Sequence, residues 1–376
     1  MAQLVKRAFT FRFHPTPEQA EELSRTFGCA RLVYNKALEE RTRAYTTEGR
    51  TISYVHSSAA LTEWKRTEEL GFLAEVSSVP LQQALRHLQT AFTNFFAKRA
   101  GYPSFKSRKK SRLSAEYTRS AFRWKDGRLS LAKMDGPLDI VWSRPLPEGA
   151  DPSTVTVSKD AAGRWHVSIL CEDAIRPLDA STGMVGVDAG ITALLTLSRP
   201  IQGVTDADGK VVNPRHERAD RTRLAKAQRN LARKQKGSAN RRKAKLRVAR
   251  VYARIADRRR DHLHKLTTSI VRENQVVAIE DLTVRTMVKN HSLARAISDA
   301  SWRQIRTMLE YKTRWYGREL VVADRWFPSS KLCSACGAIT ASMPLHVRDW
   351  VCACGAVHDR DVNAAKNILA AGLAER

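Results

Sequence analysis

The chain changes hydrophobic period several times, and each change marks an element. Residues 4–13, LVKRAFTFRF, alternate apolar and polar side chains as a strand does. Thr16-Pro17-Glu18-Gln19 then supplies a cap, a proline at the first helical position and a capping-box partner, so a helix is predicted from Pro17. Helical spacing continues through CARLVYNKALEERTRAY and returns in VPLQQALRHLQTAFTNFFAKRA, which makes residues 17 to about 100 an α-helical block. Between 120 and 172 the period reverts to two. FRWKDGRLSL carries the Asp126-Gly127 hairpin signal, and TVTVSKDAAGRWHVSILCE reads as a second hairpin with strands 154–158 and 164–171. With residues 4–13 these strands predict a small antiparallel sheet or barrel, interrupted by the helices.

A second region opens at MVGVDAGITALLTLS, an apolar strand ending in Asp188, a turn at Gly190 and another strand. A short strand is expected near Val211, then two helices broken at Gly237-Ser238 and striped by Leu224, Leu231, Leu246, Val248, Val251 and Ile255. VVAIEDL (276–282) is a buried strand ending in Glu280. ASWRQIRTMLEYKTRWYGREL is a helix closed by Gly317, LVVADRW a further strand, and the last helix begins near Val362. This is the element order of a ribonuclease H-like fold, in which acids at the strand ends converge at one edge of a mixed sheet. Asp188, Glu280 and Asp361 occupy such positions. Asp281 points to the other face of its strand by period two, and Asp359, two residues before Asp361, is the weaker candidate of that pair.

Charge changes the picture next. The 376 residues carry 65 Lys and Arg against 38 acids, a net charge of +27, which favours a polyanionic partner. Basicity alone also fits a merely solvated surface, but these charges are concentrated. Residues 215–265 hold 20 Lys and Arg against four acids, and 221–250 hold 13 and none. Arg229, Arg233, Lys234, Lys236, Arg241, Arg242 and Lys243 are candidate nucleic-acid contacts there. In the loop GYPSFKSRKKSRLS, Tyr102, Lys106, Arg108, Lys109 and Lys110 could stack bases and meet phosphates. No apolar run is long enough to span a bilayer, and the opening MAQLVKRAFTFRF lacks the apolar core of a signal peptide.

Of six cysteines, Cys29 and Cys171 are solitary and four cluster late in the chain. Cys333-x-x-Cys336 and Cys352-x-Cys354 flank a fifteen-residue loop, the donor set of a closed structural Zn²⁺ site rather than of disulfides. His346 and His358 are possible substitutes. Three converging carboxylates, for their part, suit hard divalent ions, Mg²⁺ or Mn²⁺.

GVDAGI, IEDLTVRTMVKNHSLARAISDASW, FPSSKLCSACG and DRDVNAAKNI resemble the TnpB (OrfB) proteins of insertion sequences, compact RNA-guided DNA endonucleases related to single-nuclease CRISPR effectors. HPTPEQAEELSRTFGCARLVYNKALEER, GYPSFKSRKKS and KQKGSANRRKAK also look like family segments, so the likeness spans nearly the full length. The resemblance implies a multidomain α/β protein. Residues 1–16 and 115–178 would form an oligonucleotide-binding-like wedge barrel, and 17–114 a helical recognition domain. Residues 179–327 and 356–376 would form a RuvC-like nuclease domain, with 328–355 as its zinc-binding insertion. Asp188, Glu280 and Asp361 carry over as the catalytic triad. The family usually has two residues between its second pair of cysteines, whereas Ala353 here stands alone. The implied partners are a guide RNA from the transposon end and target double-stranded DNA, for a monomeric, cytoplasmic, nucleoid-associated protein. A nuclease-inactive RNA-guided repressor and a transposase or transposase accessory protein are the alternatives.

Overall fold

The computed structural model describes residues 3–109, 111–344 and 346–374. The chain divides into two units, residues 4–173 and residues 174–376 with the first three. In the first, β1 (Gln3–His14) leads into α1 (Pro17–Glu48), α2 (Tyr54–Trp64) and α3 (Ser78–Phe96). β2 (Leu113–Thr118), β3 (Phe122–Lys125), β4 (Arg128–Leu131), β5 (Asp139–Val141), β6 (Thr154–Lys159) and β7 (Trp165–Ile175) follow. The capping box is present: Thr16 Oγ1 accepts from Gln19 N at 3.2 Å, and Gln19 Oε1 accepts from Thr16 N at 3.3 Å. The sheet runs β2-β6-β7-β1-β5, and β3 and β4 form a separate hairpin turned by Asp126 and Gly127, both at positive φ. Alternation along β1 buries Phe9, Phe11 and Phe13 with Tyr117, Val155 and Ile169. The helices have a core of their own around Val33, Leu38, Leu73, Leu81, Leu85 and Leu88. Three elements escaped the sequence reading, the first being β2, which begins inside the stretch read as a basic loop. α2 starts from a Ser53 cap and has weak amphipathy, and β5 is three residues long.

The second unit contains β8 (Met184–Ala189), β9 (Ala193–Leu197), β10 (Lys210–Val212), α4 (His216–Ala232) and α5 (Ala239–Glu273). It continues through β11 (Val276–Glu280), α6 (Val284–Met287), α7 (Ala294–Ala300), α8 (Trp302–Trp315) and β12 (Glu319–Ala323). β13 (Asp349–Val351), β14 (Val357–Asp359) and α9 (Arg360–Ala374) complete it. The sheet order is β10-β9-β8-β11-β12, antiparallel as far as β8 and parallel from β8 to β12. α6 and α7 lie in a stretch without clear periodicity. α9 starts at Arg360, so Asp361 sits inside its first turn rather than ahead of it.

The two faces of this sheet pack differently. Val185 and Val187 of β8 and Val277 and Ile279 of β11 turn toward large side chains of α5 and α8, among them Leu266, Ile270, Ile305 and Leu309. The other face carries smaller side chains where α9 crosses it, Gly186 on β8 and Ala278 and Ala323 beside Ile368, with Val321 the larger neighbour at Gly372. α9 therefore lies almost on the backbone. A Cβ on Gly186 would stand 2.0 Å from Ala365 O and 2.7 Å from Leu369 N, and one on Gly372 would stand 2.9 Å from the Ala278 methyl. Overpacking a dense interior typically costs about 1–3 kcal/mol, and backbone can yield less than a methyl group can. Gly186→Ala is expected to cost at least about 3 kcal/mol, more than Gly372→Ala, with thermal melting as the measurement. Equal midpoints for Gly186→Ala and wild type would refute the close approach.

Candidate active site and zinc centre

Parallel pairing of β8 with β11 sets Val187 opposite Ile279, so Asp188 and Glu280, each one residue later, leave the same face of neighbouring strands. Such strands lie about 4.8 Å apart. That face is the one α9 covers. Asp361 precedes Ala365 by four residues and therefore extends the stripe that crosses Gly186, one turn nearer the strand ends. The three predicted acids are brought together in this way. Burial raises the Asp188 pKa, the Glu280 and Asp361 charges add to it, and the carboxyl is pushed up to about 8 despite Arg360 nearby. Asp188 keeps some exposed surface, but the surrounding density governs its ionisation. Ser329 Oγ donates to Glu280 Oε1 at 2.6 Å, and Arg348 Nη1 lies 3.3 Å from Asp361 Oδ1.

The neighbouring acids have other tasks. Asp281 turns away and pairs with Arg306 and Arg325. Asp359 Oδ1 accepts from the N–H groups of Asp361 and Val362 at 3.0 and 2.9 Å, which caps α9. Its other oxygen takes Lys210 Nζ at 2.6 Å.

All four predicted cysteine sulfurs lie within 4.8 Å of one another. Cys333 and Cys354 are 3.8 Å apart, and Cys336 and Cys352 3.6 Å. A tetrahedral ion with Zn–S bonds of about 2.3 Å separates its sulfurs by about 3.8 Å, so the donor set fits. The short second spacing is absorbed in the backbone. In the first knuckle Gly337 N donates to Cys333 O, four residues back; in the second Gly355 N donates to Cys352 O, three back. Both glycines have positive φ. Burial opposes ionisation of Cys333, but N–H groups of Cys336 and Ala335 and the His358 ring outweigh it and bring the thiol down to about 5. His358 Nε2 stands 3.0 Å from Cys333 Sγ, beside the sulfur cluster rather than in it, and His346 is exposed outside it.

The sequence reading missed two asparagines that tie these sites together. Asn363 and Asn367 of α9 are almost fully buried. Asn363 Nδ2 donates to Leu332 O at 2.7 Å, and its Oδ1 accepts from Ser334 N at 3.0 Å. Asn367 Nδ2 donates to Ser329 O and Leu332 O at 2.8 and 2.6 Å. One helix thus holds Asp361, the serine that orients Glu280 and the chain flanking Cys333. Their i, i+4 spacing was the only signal in the sequence.

The basic candidates divide. Tyr102 is half exposed, but its ring meets Phe92 and Phe95 edge-on and its hydroxyl pairs with Thr42 at 2.9 Å. Lys106 is not a free cation. Its Nζ lies 3.9 Å over the Tyr34 ring, burial lowers its pKa, and Asn35 clamps its backbone. Arg108 and Lys109 are exposed, and Lys110 lies outside the described residues. On the α4–α5 hairpin Arg229, Arg233, Lys234, Lys236, Arg242 and Lys243 are exposed. Arg241 instead closes the turn, its Nη1 donating to Leu231 O and Lys234 O at 3.0 and 2.7 Å. A groove along the hairpin is lined by Arg223, Lys226, Arg247, Arg250 and Arg254, cations at helical spacing absent from the sequence-based set. Among the described residues no helix is long and apolar enough to cross a membrane.

A family model described as "Probable transposase" matches residues 166–291, and one described as "Cas12f1-like, TNB domain" matches 302–368. A third, "Helix-turn-helix domain", matches residues 1–50, where the structure has β1 and the single helix α1. A Streptomyces pristinaespiralis protein named "Putative RNA-guided DNA endonuclease" is 71% identical over 374 residues, 100% of this chain and 91% of that one. The similarly named InsQ of Escherichia coli (strain K12) is 34% identical over 394 residues, 98% of this chain and 92% of that one. The fold is similar to that of Cas12f1 in a complex with sgRNA and target DNA: the TM-score is 0.58 at 14% identity, covering 93% of this chain and 82% of that one. The chain belongs to the TnpB (OrfB) family of insertion-sequence proteins.

Proposed function

We propose that this protein is an RNA-guided DNA endonuclease that hydrolyses phosphodiester bonds at a RuvC-like site. The observation that carries the reading is the convergence of Asp188, Glu280 and Asp361 under α9, in a chain of net charge +27. A guide RNA encoded at the transposon end would bind the basic surfaces, and its free end would pair with one strand of double-stranded DNA. In this reading residues 1–16 and 115–178 act as the wedge barrel and 17–114 as the recognition helices. They would hold RNA and read the short motif flanking the target. Residues 179–327 and 356–376 act as the ribonuclease H-like nuclease domain, with 328–355 as its zinc ribbon. Arg108, Lys109 and the exposed hairpin cations would meet phosphates.

Asp188, Glu280 and Asp361 offer the clustered oxygen donors that Mg²⁺ or Mn²⁺ prefers, and a bound cation would oppose the burial and neighbouring charge that raise the Asp188 pKa. Bound there, such ions would activate a water and stabilise the leaving oxygen of the phosphodiester. The protein's own contribution is placement. Ser329 orients Glu280, the close seat of α9 delivers Asp361, and Lys210 keeps Asp359 engaged away from the cluster. The four thiolates would hold structural Zn²⁺, with no open position for chemistry.

Asp188→Ala is expected to abolish Mg²⁺-dependent cutting of matched duplex while the variant still copurifies with its RNA. Residual cutting at wild-type rate would sink the triad assignment. Cys333→Ser is expected to lower bound zinc below one equivalent and to lower the melting temperature of residues 174–376. A variant retaining a full equivalent and normal melting would contradict the four-sulfur site.

The Asp188 shift also has a sign that can be checked. Without divalent ions the folded protein keeps its proton up to about pH 8, whereas the unfolded chain releases it near pH 4. The folded state binds the extra proton between those values, so its stability falls as pH rises from about 4 to about 8. In chelator, the melting temperature of wild type should decline across that window, Asp188→Asn should flatten the decline, and Mg²⁺ should stabilise most near the upper end. Identical profiles for the two proteins would contradict the clustering.

A further inference from the structure

Two strand pairings in the second unit set Lys210, Thr196 and Asp188 in one row. Lys210 of β10 lies opposite Thr196 of β9, and Thr196 lies opposite Asp188 of β8. Directly opposed residues share a face, so Lys210 leaves the side of the sheet that α9 covers, two strands or about 10 Å from Asp188. Its backbone is fixed by the preceding turn, where Asp206 Oδ1 accepts from Asp208 N at 3.1 Å and from Lys210 N at 2.7 Å. Its ammonium meets Asp359 Oδ2 at 2.6 Å, and each of the two side chains is less than one-third exposed. The bond to Asp359 is the main reason the Lys210 pKa is raised, and the Asp361 charge acts on the same ammonium. A fourth carboxylate therefore stands beside the three clustered acids, with one oxygen held by the first turn of α9 and the other by Lys210.

We propose that Lys210 sets the ion preference of the acid site by withholding Asp359 from it. The inference rests on the reading of Asp188, Glu280 and Asp361 as a divalent-cation site and deepens that reading. Mg²⁺ demands a near-octahedral shell, keeps several waters and is served by few carboxylates, whereas Ca²⁺ takes about six to eight oxygens. With the ion pair closed, Asp359 has no oxygen to offer, and the three acids favour the smaller ion. Without the ammonium, Asp359 Oδ2 is released next to Asp361, and the larger ion gains a ligand. A lysine can do this without becoming a ligand itself, because its ammonium has donors and no acceptor. Loss of the positive charge alone would tighten both ions, since both carry two charges. The ratio of the two affinities therefore separates an added ligand from an altered field. A pair that only fastened β10 to α9 would change stability and leave that ratio alone.

The test uses the full chain with its copurified RNA and reads Mn²⁺ by electron paramagnetic resonance. Only the population that Asp188→Asn removes is counted, which leaves out ions held by RNA or elsewhere on the protein. Ca²⁺ and Mg²⁺ are titrated against that population, and melting in chelator is followed alongside. Lys210→Met is expected to raise the Ca²⁺ affinity relative to that for Mg²⁺ about tenfold, a shift of the size that ligand count produces in such sites. Lys210→Ala should do the same, and Lys210→Arg, which keeps the pair, should hold the wild-type ratio. Asp359→Asn, alone or combined with Lys210→Met, should also hold it, because the extra ligand is then gone. A ratio unchanged in both Lys210→Met and Lys210→Ala overturns the proposal, even if their melting temperatures fall. So does an equal gain for both ions, or a raised ratio that persists in the double variant. A wild type with no Mn²⁺ population that Asp188→Asn removes would instead refute the divalent-cation reading itself, and the role of Lys210 with it.

Discussion

The second unit depends on a single close approach, the seat of α9 against β8 at Gly186. Side chains ordinarily hold a helix well clear of the sheet it covers. Here a glycine and two alanines remove that spacer on one face, while valines and isoleucines on the other hold α5 and α8 at normal distance. The asymmetry has a functional result. A helix lying on the strand backbone brings a carboxylate from its first turn to those at the strand ends, and charge repulsion then has to be borne by the fold. Burial first, and that repulsion after it, raise the Asp188 pKa, and a divalent cation is the natural relief.

The same helix explains why a cysteine cluster stands so close to the acids. Asn363 and Asn367 bind carbonyls of the chain leading into Cys333, and one of those carbonyls belongs to Ser329, whose hydroxyl holds Glu280. Each buried amide satisfies groups that would otherwise be costly orphans, so helix and loop have one mutually consistent arrangement. A metal joining the four sulfurs would fix a segment with only a small core of its own, around Met343 and Trp350. Its influence on the acids would pass through these hydrogen bonds, without the ion entering the reaction.

Much of this was legible in the chain. Strands buried on both faces announce themselves as apolar runs, and an acid ending such a run stands out, as Asp188 and Glu280 do. Capping chemistry is local, so Thr16 to Gln19 could be read directly, and cysteine spacing is a strong signal even with one residue missing. What stayed hidden was tertiary. Nothing in the letters says that Gly186 meets Ala365 or that Asn367 reaches Ser329. Tyr102 and Lys106 looked like free contacts because Thr42, which meets the Tyr102 hydroxyl, and Tyr34, which lies under the Lys106 ammonium, are far off in sequence. Arg241 looked like its exposed neighbours because closing a turn depends on the geometry of the preceding helix end.

The central claim is that Asp188, Glu280 and Asp361 form one divalent-cation site. Manganese binding followed by electron paramagnetic resonance, on wild type and on Asp188→Asn, Glu280→Gln and Asp361→Asn, tests it most directly. The account predicts a tight Mn²⁺ population in wild type that all three variants lose or weaken, with Asp359→Asn and Asp281→Asn retaining it. Undiminished tight binding in any of the three variants would contradict a shared site.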